Sequence, residues 1–214
     1  MIRILHQAPH IPELLFETLP GRAEHYRSLT GADAAVVMLL AEHELEPLLS
    51  SAEYREFAAS ASTEIYRQCL FDLRDDVWVS RAAGSPLVRW PARDQVRIII
   101  QGQYAPNPKL RELIAREVAE TRREPGCVAY DWYEHACDSS KLLLLEVWQD
   151  QQLYDAHWFG RVETADYRGD SGRTPIADSE REFYRRTEFD LLYGRFLPRN
   201  PAQYSHTVVW PDSC

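Results

Sequence analysis

An internal repeat is the feature of this 214-residue chain that most restricts its fold. A Pro-Gly pair, a strand-like stretch, a polar turn and an apolar stretch recur in the same order at an offset of 105 to 106 residues. A further match recurs at an offset of 118 residues. The chain is therefore expected to contain two copies of one supersecondary unit. The matched segments are Pro20–Leu29 with Pro125–Glu134, Val36–Glu42 with Leu142–Trp148, and Glu64–Leu73 with Glu182–Leu191.

The second copy predicts the order strand, helix, strand, strand, helix, followed by a helix or a strand. Val96–Ile100 is rich in β-branched residues, which favour strands. Asn107 can cap a helix that has Pro108 at its first position. The run Leu142–Leu145 has no polar alternation and is typical of a buried strand. Asp150 is then expected to cap the next helix.

A sheet covered by helices on one face leaves its other face apolar, and two such sheets can bury those faces together. We therefore predict an α+β fold in which two antiparallel sheets pack face to face as a pseudo-dimeric barrel, with a cavity between the sheets. The expected boundaries are a first repeat at 1–81, a linker at 82–94, a second repeat at 95–197 and an extended arm at 198–214. The polar insert at 167–178 is expected to form a surface loop.

Composition and motif content argue against several classes of protein. A net charge of −9 without a basic stripe disfavours a nucleic-acid partner. No stretch approaches about 18 consecutive apolar residues, so no membrane span is expected. No metal constellation, phosphate loop or flavin motif is found in the sequence, so no cofactor is expected. The four cysteines form no CxxC pair and suggest reduced thiols in a cytoplasmic protein: Cys69, Cys127, Cys137 and Cys214.

Several features between about Val96 and Phe159 occur in a recognisable order. They are the Glu124-Pro125-Gly126-Cys127 turn, Tyr130, the Glu146-Val147-Trp148 strand end, Asp150, Ala156 and His157. In this order they resemble the antibiotic biosynthesis monooxygenase (ABM) family. The resemblance implies two ferredoxin-like βαββαβ repeats, a dimeric or pseudo-dimeric α+β barrel and a small-molecule site inside it. The chain would then be a monomeric pseudo-dimer or a homodimer.

The resemblance also implies an activity, which is cofactor-independent oxygenation of an aromatic or polyketide-like substrate by dioxygen. In the branch of the family that carries out this oxygenation, a Trp, a Tyr and a more distant Arg are associated with the substrate pocket. The residues that match them here are Trp148, Tyr154 and Arg168. The family's Asn four residues before the Trp is replaced here by Leu144. The first copy is expected to be degenerate, with Glu42 and Ser51 where the second has Trp148 and His157.

His157 is the candidate general base, because an imidazole with an ordinary pKa near 6.5 can remove a proton from a phenol or an activated methylene. The alternative is a histidine that only packs in its helix. Trp148 is either a pocket wall that stacks on a flat substrate or a core aromatic. Tyr154, His157 and Trp158 share a helical face, which could form a relay or simply pack.

Two strands offer further candidates for substrate binding. Gln101 and Gln103 leave the same face of the first strand, where they would either line a polar part of the cavity or mark a frayed strand end. On the second strand Tyr130 and Trp132 share a face with Glu134, and the intervening residues share the other. The alternation does not decide which of these faces lines the cavity.

Two other functions remain open from the sequence. A non-catalytic small-molecule binding or stress-related protein could use the same cavity, and Leu144 together with the degenerate first copy favours this alternative. A heme-binding protein is the third class. Heme-degrading relatives place the axial His about eleven residues beyond the Trp, where this chain has Phe159, so heme is disfavoured.

Overall fold

The structure is a computed structural model that describes residues 1–11, 19, 22–82, 94–163, 173–192 and 195–199. Most of the predicted linker and arm, and the first half of the predicted insert, lie outside the described residues. The elements are β1 (Ile2–Ala8), β2 (Arg22–Ser28), β3 (Ala34–Leu40), α1 (Glu42–Ser50), α2 (Ala52–Ala59), β4 (Ser62–Arg67), β5 (Phe71–Arg74), β6 (Val77–Ser80), β7 (Val96–Gln103), α3 (Leu110–Thr121), β8 (Cys127–His135), β9 (Asp138–Trp148), α4 (Gln151–Glu163), β10 (Glu180–Arg185), β11 (Glu188–Leu192) and β12 (Arg195–Pro198).

The chain divides into two compact units that exchange segments. The first unit comprises 1–27, 32–68 and 187–214, and the second comprises 28–31 and 69–186. This division differs from the sequential boundaries expected above, because the hairpin β5–β6 belongs to the second unit and the hairpin β11–β12 to the first. The two main crossings, after Gln68 and after Arg186, are 118 residues apart, which is the offset between the matched segments Glu64–Leu73 and Glu182–Leu191.

The second unit has the predicted βαββαβ order, with an antiparallel sheet of order β10-β7-β9-β8. The stripe Leu110, Ile114 and Val118 of α3 is buried against this sheet. Asp150 caps α4 as expected, since its Oδ1 accepts the Leu153 N–H at 2.9 Å. Helix α3 begins at Leu110, two residues later than predicted, because Asn107 Oδ1 caps the preceding turn at the Lys109 N–H, 2.9 Å away.

The first unit repeats that strand order as β2-β3-β1-β4 and extends it with β11 and β12. Two short helices replace the single α4. Pro47 lies inside α1, and Ser51 caps α2 by accepting the Tyr54 N–H at 3.3 Å. The α+β class and the two ferredoxin-like repeats are therefore confirmed. Among the described residues, no helix is both long and apolar enough to cross a membrane.

Strand register corrects one expected correspondence between the repeats. Ile2 pairs with both Leu40 and Arg67, whereas Val96 pairs with both Trp148 and Arg185. Leu40, rather than Glu42, is therefore the counterpart of Trp148. The fourth and seventh residues of α1 are Leu45 and Leu48, and those of α4 are Tyr154 and His157. Leu48, rather than Ser51, thus corresponds to His157.

Candidate functional site

Most of the predicted site residues share one face of the second unit's sheet. Tyr130 lies opposite Glu146, Trp132 lies opposite Leu144, and Trp148 lies opposite Val96. These side chains belong to one buried cluster with residues of α3 and α4. These residues therefore lie on the face of the sheet that α3 and α4 cover.

Gln101 and Gln103 do not join this group. They alternate with Ile98, Ile100 and Gly102 along β7, and their partners in β9 are Leu143 and Lys141. Their side chains therefore leave the opposite face of the sheet. Arg168 lies outside the described residues.

His157 is held by a carboxylate. Its Nδ1 lies 2.6 Å from Glu124 Oε2, in the turn between α3 and β8, and its side chain is only 4% exposed. Arg161 Nη2 donates to the other oxygen of Glu124 at 3.2 Å. Burial raises the pKa of Glu124, but the hydrogen bonds and charges of His157 and Arg161 outweigh it and leave that pKa below its usual value. An ionised Glu124 fixes the tautomer of His157 with hydrogen on Nδ1.

The other ring nitrogen of His157 is available for chemistry. In the described part of the chain, Nε2 has no hydrogen-bond partner. The His157 ring centroid lies 4.6 Å from that of Trp148 with the planes 34° apart, 5.9 Å from that of Tyr130 and 6.4 Å from that of Tyr154. The predicted triad of His157, Trp148 and Tyr154 is thus together in space, and Tyr130 joins it.

Glu146 is a buried carboxyl group to which the sequence analysis gave no chemical role. It lies on β9 between Leu144 and Trp148 on the same face, and its Oε2 accepts the Trp148 indole N–H at 2.8 Å. Burial raises its pKa, although the charges of His157 and Arg181 and the Trp148 bond work in the other direction. Glu146 therefore keeps its proton to a higher pH than an exposed glutamate does.

Glu117 accepts hydrogen bonds from two more of the predicted site residues, Tyr130 and Trp132. Its Oε1 accepts the Tyr130 hydroxyl at 2.5 Å and the Trp132 indole N–H at 3.0 Å. Its Oε2 lies 2.7 Å from Arg173 Nη2, whose guanidinium stacks 4.3 Å from the Trp132 ring centroid. Burial raises the pKa of Glu117, but Arg173 and these hydrogen bonds outweigh it, so the pKa is lowered. Tyr130 and Trp132 are therefore oriented by a buried ion pair.

Arg181 is a further residue that the sequence did not identify as part of the site. Its guanidinium lies 4.4 Å from the ring centroid of Trp78 and 4.1 Å from that of Trp158, and the residue is 8% exposed. Within the described residues it makes no hydrogen bond and no ion pair, and its Nε is buried without a partner. A buried cation normally has an anionic partner. The alternation of β10, which places Arg181 on the face of Phe183, is the signal that could have identified it.

The arrangement is suited to proton transfer. It combines a base nitrogen fixed by a carboxylate, a protonatable carboxyl group and a cation with unused donors. Aromatic rings separate these groups from bulk water, which strengthens their mutual electrostatic effects. Among the described residues, no cluster of His, Cys, Asp and Glu side chains has the composition of a metal site.

Fold and site together define a tandem ferredoxin-like α+β protein whose second repeat carries a buried histidine paired with a partly exposed carboxylate. Residues 107–158 match the sequence model of the antibiotic biosynthesis monooxygenase family. The resemblance predicted from the sequence is therefore confirmed for this segment of the second repeat. This segment contains Glu117, Glu124, Glu146, Trp148 and His157.

Individual relatives are more distant. An uncharacterized protein of Synechocystis is 32% identical over 65 residues, which are 28% of this chain and 44% of that protein, so the chain matches less than half the length of this curated relative. SnoaB of Streptomyces nogalater, a cofactor-independent oxygenase, is 19% identical and covers 42% of this chain and 91% of its own, with a TM-score of 0.35. A candidate monooxygenase of Fusobacterium nucleatum is 10% identical and covers 89% of this chain and 98% of its own, with a TM-score of 0.40.

Proposed function

We propose that the second unit is a cofactor-independent monooxygenase for a flat aromatic or polyketide-like small molecule, with His157 as its general base. The observation that carries this proposal is the 2.6 Å contact between Glu124 and His157 Nδ1, which leaves Nε2 without a partner among the described residues. The match of residues 107–158 to the ABM family supports the reaction class.

The proposed first step is removal of a proton from the substrate by His157 Nε2. Glu124 stabilises the imidazolium that results, because its ionised oxygen lies against Nδ1. Positioned general bases contribute about 10²- to 10⁴-fold to a rate. Trp148 and Tyr130 offer ring faces and edges against which a flat substrate would be oriented.

The deprotonated substrate needs positive charge near its oxygen. Arg181 supplies it in this proposal, since its guanidinium has no carboxylate partner among the described residues. Glu146 is suited to protonate the oxygen that leaves as water, because burial holds its proton.

The second step is direct reaction of the carbanion with dioxygen. A new carbon–oxygen bond gives a peroxide, which takes up a proton and loses water to leave a carbonyl group. The overall change for a methylene is R₂CH₂ + O₂ → R₂C=O + H₂O. The substrate supplies all four electrons, one oxygen atom enters the product and the other enters water, so no external reductant is consumed.

Oxygen uptake with hydroxyanthrones and quinols tests this proposal. His157→Ala should lower turnover by about 10²- to 10⁴-fold while the protein stays folded. Glu124→Gln should lower it in the same direction, and the matched control Glu120→Gln, at an exposed position of α3, should leave it unchanged. Unchanged uptake in His157→Ala would exclude this base.

Leu144 favours a second candidate function, which is small-molecule binding without catalysis. It is buried between Ile100 and Trp132 and places no polar group where the family has an Asn. Tight binding of an aromatic ligand with no oxygen uptake would support this candidate and reject the enzyme.

A further inference from the structure

The first unit contains a cavity that the proposed reaction does not use. Its volume is about 330 Å³, at the lower end of the range for small-molecule sites. It lies beside the junction of α1 and α2. Its walls are formed by Leu19, His43, Glu44, Pro47, Leu48, Ser51 and Tyr54.

The cavity includes a position that corresponds to the candidate site of the second unit. Leu48 is the seventh residue of α1, as His157 is of α4. A leucine cannot act as a base, so this position is suited to binding and not to proton transfer. Although the first repeat has a leucine where the second has a histidine, it still contains a cavity large enough for a small ligand.

The walls define the chemistry of an occupant. Leu19, Pro47 and Leu48 are apolar, and the buried Tyr54 adds an aromatic ring. The Tyr54 hydroxyl is engaged by His6 Nε2 at 3.0 Å, and His6 Nδ1 in turn contacts the Thr63 hydroxyl at 3.0 Å. This internal chain of hydrogen bonds fixes the ring of Tyr54 as a rigid wall.

The charged group of the cavity is a carboxylate. Glu44 Oε2 accepts the Ala41 N–H at 2.7 Å, and its Oε1 has no hydrogen-bond partner among the described residues. Neither a lysine nor an arginine is among the residues that line the cavity. We propose that the first unit binds a small aromatic amine, whose ring packs on Leu48 and Tyr54 and whose ammonium group faces Glu44.

Three probes of similar size and different charge test this proposal: 2-phenylethylamine, 2-phenylethanol and phenylacetate. Binding to the full chain is followed by isothermal titration and by backbone amide chemical shifts. The amine should bind about fivefold more tightly than phenylacetate, with shifts confined to α1, α2 and their neighbours. Glu44→Gln keeps an acceptor for Ala41 and should remove the preference for the amine, whereas Glu46→Gln, exposed on the same helix, should preserve it.

A second variant tests the cavity itself. Leu48→Phe should fill it and weaken all three probes, and its folding is checked by its amide spectrum. His157→Ala should not change the binding of any probe, which separates this site from the proposed catalytic one. Absence of binding by all three probes, equal affinity for phenylacetate, or loss of the shifts in His157→Ala would overturn the proposal.

Discussion

The hydroxyl groups of Tyr66 and Tyr184 make the same two hydrogen bonds at matching points of the two repeats. Tyr66 donates to Glu64 Oε2 at 2.6 Å and accepts the Thr187 N–H at 3.2 Å. Tyr184 donates to Glu182 Oε2 at 2.6 Å and accepts the Cys69 N–H at 3.2 Å. Each N–H belongs to the first residue after the chain has crossed into the other unit. The two tyrosines therefore fasten the exchanged segments.

We expect Tyr66→Phe and Tyr184→Phe to destabilise the protein by similar amounts, about 1–3 kcal/mol each. Each change removes a hydroxyl group that donates a hydrogen bond to a glutamate and accepts one from a backbone N–H. Urea unfolding of the two variants measures the effect. A loss of stability in one variant and none in the other would contradict the equivalence of the two crossings.

Two glycines form a matched pair for testing the turn before β8. Gly126 has φ of +82°, and an added Cβ would lie 2.3 Å from Leu153 Cδ1. Gly126→Ala should therefore destabilise the fold by about 1–3 kcal/mol. An added Cβ at Gly160 meets nothing within 4 Å, so Gly160→Ala should stabilise α4 by about 0.5–1 kcal/mol. Thermal unfolding measures both, and stabilisation by Gly126→Ala would refute the first expectation.

Glu117 should contribute stability that depends on pH. Its pKa is lowered from 4.5, so the stabilisation is fully present above that value and is lost as the pH falls through the folded pKa. At neutral pH, Glu117→Gln should cost about 3 kcal/mol because it removes the carboxylate charge that faces the buried Arg173. The difference from the unmodified protein should shrink at acid pH in urea titrations. The control Glu120→Gln should show no such trend, and a constant difference across the range would argue against the ion pair.

His6 should make the first unit sensitive to acid. It is fully buried, and burial lowers its pKa from 6.5 to about 3. Between these values the unfolded chain binds a proton that the folded protein does not, so stability decreases as the pH falls. The slope from this one group is about 1.4 kcal/mol per pH unit. His6→Gln should flatten the curve of unfolding free energy against pH in this range, and parallel curves for the two proteins would rule out this account.

The sequence predicted the order of the elements and the proximity of Trp148 and His157 because both depend on local patterns. The apolar run of β9 and the Asp150 cap define a strand and a helix, and their junction brings Trp148 and His157 together. The repeat was also evident, but its register was two residues off in β3. Bulges in β8, between Cys127 and Ala129 and between Glu134 and His135, shift the pairing in a way that alignment of Pro-Gly turns does not show.

The partners of the site could not be predicted in the same way. Glu117, Glu124 and Glu146 look like ordinary charges in the sequence, and only tertiary contacts show that each receives donors from distant residues. Arg181 stands between two glutamates, which suggests surface ion pairs, whereas it packs between two indoles. Gln101 and Gln103 were assigned to the site because nothing local distinguishes the two faces of β7.

The exchange of hairpins sets an order for folding during synthesis. All described strands of the second unit have been synthesised once the ribosome has passed Arg185, because β5 and β6 precede its other strands in the chain. The first unit begins the chain, yet the edge of β4 is not paired until β11 emerges near the end. The half that is translated first is thus completed last. A chain truncated after Arg186 would keep every described strand of the proposed catalytic unit and would leave β4 without its β11 partner.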